Sequence, residues 1–155
     1  MTGGSMTNLN NSDSGGQKDL ASISFNFNHK PLFFRLCGYP LDDGTATEGN
    51  DLHFFSERVQ VLNFALSIGI KNTSSDEINN LDPSIEKYWE AGTYNNELVK
   101  QGSSYEYMQT LVEGLYPNHN HGGINRLISV LIDRGFEIMS EKAKSGMFTL
   151  KSVSE

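Results

Sequence analysis

The sequence predicts an α+β fold: a helical domain with an N-terminal β-hairpin and a helix–helix–hairpin unit at its carboxyl end. Three observations predict it. Ile23, Phe25 and Phe27 alternate with Ser24 and Asn26, the period of a half-buried strand. Phe55, Val59, Leu62 and Leu66 recur at helical spacing, as do Tyr105, Met108, Val112 and Leu115. Beyond Ile124, Leu127, Ile128 and Leu131, which share one helical face, the apolar period shortens across Gly135 from about 3.6 residues to about 2.

Met1–Leu20 is Gly, Ser, Asn and Asp with little to bury, so residues 1–20 read as a mobile tail and 21–155 as one domain. Met1–Ser5, ahead of a second methionine at Met6, reads as a cloning remnant. After the first strand, Asn28-His29-Lys30-Pro31 is a turn and Leu32–Leu36 a second strand, which completes the hairpin. Tyr39–Gly49, with a proline, two aspartates and two glycines, is a loop. The helix carrying Phe55–Leu66 is closed by Gly69. Ser74-Ser75-Asp76-Glu77 has the form of a capping box, and Asp82-Pro83 starts a short helix with Ile85, Tyr88 and Trp89 that stops at Gly92. Ser103 or Ser104 caps the helix that runs to Leu115. Gly122–Arg134 forms the next helix, with Gly135 as its left-handed stop. Phe136 and Ile138 then begin a strand that returns through Phe148 and Leu150 after the tip Lys142-Ala143-Lys144-Ser145-Gly146.

Helix, turn, helix, glycine, strand, polar tip and strand over residues 103–152 resemble the winged helix-turn-helix family, of the biotin-repressor type and of small phage helix-turn-helix proteins. The resemblance implies a small DNA-binding regulator of a phage or mobile element, working as a homodimer because one recognition helix gives limited specificity. On that reading His121, Asn125, Arg126 and Ser129 face base edges, and Lys142 and Lys144 at the wing tip hold phosphates.

Charge supports a different partner. The chain carries a net −7, and residues 1–102 hold 13 acids against 7 bases. A DNA-binding surface is normally basic. The alternative is an acidic protein-interaction module, or an inhibitor of a DNA-handling protein, with Glu86 and Glu90 on the partner-binding face.

No catalytic constellation is visible, and an enzyme is not expected: there is no phosphate-binding Gly-x-x-x-x-Gly-Lys loop and no His-Glu-x-x-His helix. His119 and His121 lie two apart, but Pro117, Asn118, Asn120, Gly122 and Gly123 mark a turn, so neither a metal nor a cofactor is expected. Cys37 is the single cysteine, which suits a reducing cytoplasm. No apolar run approaches the roughly 20 residues needed to span a bilayer, so no membrane partner is expected.

Overall fold

The computed structural model describes residues 19–20, 23–37, 54–81, 88–89 and 104–144. These are mostly helical, with no β-hairpin at either end, which corrects the α+β expectation. Among the described residues four α-helices carry the fold: α1 (Lys30–Cys37), α2 (Arg58–Lys71), α3 (Ser104–Leu115) and α4 (Ile124–Lys144). Two strands of two residues each, β1 (Phe25–Asn26) and β2 (Tyr88–Trp89), pair antiparallel with Phe25 opposite Trp89 and Asn26 opposite Tyr88. Among the described residues no helix is long and apolar enough to cross a membrane.

The predicted hairpin fails because its second arm is a helix. Asn26 Oδ1 accepts from Asn28 N at 2.9 Å, a local turn that ends β1 and starts the 3-10 turn Phe27–His29. Pro31 then sits in the first turn of α1, where a missing N–H is tolerated. Leu32, Phe33, Leu36 and Cys37 are spaced as one helical face, and all four are buried. β1 finds its ladder partner at Tyr88–Trp89 instead, so these two aromatics lie in a strand rather than in the predicted helix.

α2 begins where Gln60 Oε1 accepts from the main-chain N–H of Ser56 and of Glu57, each at 3.1 Å. It runs past Gly69 to Lys71, and Asn72 closes it by donating from Nδ2 to Ile68 O at 2.8 Å. The box at Ser74 forms as read: Ser74 N donates to Glu77 Oε1 at 2.9 Å, and Glu77 N to Ser74 Oγ at 3.2 Å. It leads only into a 3-10 turn, Ile78–Asn80. α3 follows its expected span, with Met108 and Val112 fully buried.

The largest correction concerns α4. It continues through Gly135 to Lys144, so Phe136–Lys144 is helix and not the first arm of a wing. The rest of that proposed wing, Ser145–Leu150, lies outside the described residues. The helix needs glycine at Gly135 because α2 packs against it: a Cβ there would collide with the Ala65 carbonyl. Gly69 is its counterpart, since a Cβ there would collide with the Leu131 carbonyl. The two glycines let the backbones of α2 and α4 touch at Ala65/Gly135 and Gly69/Leu131, which sets them antiparallel. On the other side of α4, Phe136 meets Phe25 and Phe33 with ring centroids 4.7 and 6.1 Å away, and all three are fully buried.

Candidate functional site

The side chains expected to read DNA lie at the start of α4, and the structure turns most of them inward. Asn125, Ser129 and Asp133 are spaced by four and form a polar stripe along the helix. Residues 19–20 and 23–26 lie along this stripe. Asn125 Nδ2 donates to Leu20 O at 2.9 Å, Ser129 Oγ accepts from Ser24 N at 2.8 Å, and Asp133 Oδ1 accepts from Asn26 N at 2.8 Å. Tyr105 of α3 adds a hydroxyl donated to Asn125 Oδ1 at 2.8 Å. The stripe therefore satisfies the backbone of a segment that pairs little with any sheet, as buried polar groups require. Composition had placed Asp19 and Leu20 in the mobile tail, yet both engage α4.

Asp19 also caps the helix. Position 123, which precedes α4, is glycine and has no side chain to cap with, and Asp19 Oδ1 accepts from Arg126 N at 2.9 Å. A Cβ on Gly123 would overlap the Asp19 carboxyl group, so the glycine makes room for a cap supplied from far away in sequence. Arg126 itself is half-buried. Lys142 and Lys144 occupy the last turn of α4, where cations complement the helix dipole, and not a hairpin tip. The candidate recognition residues are thus not gathered on one open face. Glu86 and Glu90 lie outside the described residues.

Other chemistry-bearing groups are held structurally. Burial pushes the Cys37 thiol up to about 12, so it stays protonated at neutral pH and is no nucleophile. His29 stacks on Phe136 and lies 3.4 Å from Asp133 Oδ1, whose oxygen already serves Asn26.

Among the described residues two open features adjoin. The first is the outer face of α3, where Tyr107, Leu111 and Leu115 follow one another at four-residue spacing. Tyr107 is 63% exposed and Leu115 43%, Leu111 between them is half-buried, and the space beside Gly114 is empty. Glu106 and Glu113 are exposed on the same helix, on the side turned away from this line. Helical spacing predicts Leu115 in the core with Met108 and Val112; it lies instead at the end of the helix and is exposed, and Tyr116 takes the buried position. The Tyr116 hydroxyl donates to Thr73 O at 2.6 Å, which ties the end of α3 to the end of α2.

The second feature is a cleft of about 390 Å³ that starts at Leu115 and runs between the Ile78–Asn80 turn and the loop after α3. The two walls are joined by Asn120 N donating to Asn79 Oδ1 at 2.8 Å and by His121 Nε2 donating to Ile78 O at 2.7 Å. His121 is therefore a buried strut and not a base-reading side chain. His121 N donates to His119 Nδ1 at 3.1 Å and the two rings stack. Burial, reinforced by His121, lowers the pKa of His119 below its ordinary 6.5, so the ring is neutral at pH 7. Gly122, at φ 86°, supplies the left-handed residue that swings this loop into α4.

Neither family models, nor curated proteins, nor solved structures give a match to this chain. The functional reading therefore rests on the geometry of α3 and its cleft. Neither feature was legible beforehand, because the pattern of α3 does not say which of its apolar residues stay outside.

Proposed function

We propose that this protein is an acidic interaction module that docks a basic protein surface through the outer face of α3. The observation that carries this reading is the apolar line Tyr107–Leu111–Leu115, open at both ends, on a helix that also exposes Glu106 and Glu113 to solvent. Exposed aromatic and aliphatic side chains that abut a cleft supply the anchors of a protein interface. Acidic neighbours steer a positively charged partner toward them and exclude acidic ones. A protein surface built to hold nucleic acid has that complementary charge, so an inhibitor of a DNA-handling protein fits the same face. A lone buried thiol suits action in the reducing cytoplasm.

The test is quantitative affinity capture with the full chain. Wild type is compared with a Tyr107→Ser/Leu115→Ser variant and with Lys142→Ser, which alters a different surface. The expected result is a set of basic proteins held by wild type and Lys142→Ser and lost by the double variant. Equal capture by all three overturns the reading.

A further inference from the structure

We propose that the cleft beside Leu115 receives an arginine side chain of the docked partner. The inference rests on the docking reading above and names the residue that anchors it. Among the described residues that line the cleft there is one acid, Asp76, and no lysine or arginine. Ser75, Asn79 and Asn118 add uncharged oxygen acceptors to the lining. The volume, about 390 Å³, lies toward the low end of ligand-sized sites and accommodates one long side chain without a backbone.

The choice of arginine follows from shape as well as charge. A guanidinium is planar and presents its donors as a fork, so it can pair with Asp76 while reaching neighbouring amide or hydroxyl oxygens. His119 offers a flat ring for the guanidinium to stack on, and its lowered pKa removes the opposing positive charge. A lysine ammonium would find the carboxylate but has no plane to stack. Leu115 is both the end of the apolar line on α3 and a wall of the cleft, so the arginine stem stays on apolar surface as its head enters. The walls are fixed by the Asn79–Asn120 and Ile78–His121 bonds, so the cleft is formed before the partner arrives.

The test uses isotope-labelled full-length chain observed by NMR and titrated with Nα-acetyl-arginine-N-methylamide, with its citrulline and lysine counterparts as controls. The expected result is saturable shifts at Asn118 and the His119 ring, weakened about tenfold or more by Asp76→Asn or by citrulline in place of arginine. Asp76 is exposed, and an unchanged melting profile of Asp76→Asn shows that the loss is local. Absence of saturation, equal binding of citrulline or lysine, or an indifferent Asp76→Asn overturns the arginine anchor. Tyr107 lies outside the cleft, so Tyr107→Ser separates the two readings. If it loses the partner while the arginine probe fails on wild type, docking on α3 stands and the anchor falls. If the probe binds as expected while Tyr107→Ser keeps every partner, the cleft stands and the α3 surface falls.

Discussion

Gly135 sits in the middle of α4 with its missing Cβ directed at the carbonyl of Ala65, and this single approach sets how α2 and α4 pack. An alanine in a helix interior is ordinarily favoured over glycine by about 1 kcal/mol. At Gly135 the collision with backbone outweighs that gain, because a carbonyl held in α2 cannot swing aside as a side chain can. Gly135→Ala is expected to destabilise the protein by about 1–3 kcal/mol, the usual range for overpacking. Gly114→Ala in α3, where the added methyl meets nothing within 4 Å, is expected to be neutral or to stabilise by up to about 1 kcal/mol. Urea unfolding of both variants measures the two signs, and a stabilised Gly135→Ala contradicts the close approach.

Ser129 gives a second test. Its hydroxyl is buried and accepts from Ser24 N, so Ser129→Ala removes a buried acceptor from that N–H. The expected cost is about 1–3 kcal/mol. A solvated residue on a nucleic-acid-reading face would change stability by less than about 0.5 kcal/mol on the same substitution. Denaturant midpoints decide between them.

The two glycines show why part of the fold was legible and part was not. A glycine inside a helical pattern marks either a stop or a close contact, and the sequence shows no neighbour that would choose. The apolar spacing did carry a signal through Gly135, because Ile132, Phe136 and Met139 continue the helical face and are all buried. The alternation of Phe136, Glu137 and Ile138 covers only three residues and is overridden by it. Leu32, Phe33, Leu36 and Cys37 held a similar signal for α1. The stripe Asn125–Ser129–Asp133 held none, since polar residues spaced by four look alike whether they face water or a chain segment some hundred positions earlier. The cleft was hidden for the same reason: Asp76 and Asn118 come together only once Tyr116 and His121 have tied the ends of α2 and α3 to the Ile78 turn.

Acid should weaken the protein in two separate windows. The folded-state pKa of His119 lies below 6.5, so the unfolded chain takes up the proton first. The contribution of His119 is complete above about pH 6.5 and is lost as pH falls toward its folded-state value. Glu77 is lowered from 4.5 by hydrogen bonds from the Ser74 backbone and hydroxyl, so its contribution is complete above that pH and fades only in stronger acid. His119→Gln, which keeps an acceptor for His121 N, should flatten the first window. Glu77→Gln should flatten the second. Unfolding midpoints followed from neutral pH into acid check both, and unchanged pH dependence in His119→Gln contradicts the first assignment.

The remote cap on α4 predicts a coupling with a definite sign. Asp19→Ala removes the acceptor for Arg126 N and a carboxylate near the positive end of the helix dipole, and should cost about 0.5–2 kcal/mol. Gly123→Ser should also destabilise, because its Cβ takes the place of the Asp19 carboxyl group. In the double variant the collision is gone, and the new serine stands at the position preceding the helix, from which its own hydroxyl can cap. Only Gly122 of this pair has a positive φ, so the serine meets no backbone strain of that kind. The double variant should therefore be more stable than the sum of the two single losses implies, with a coupling of about 1 kcal/mol. Additive losses, measured by urea unfolding of all four proteins, would show that Asp19 and Gly123 do not share the space at the start of α4.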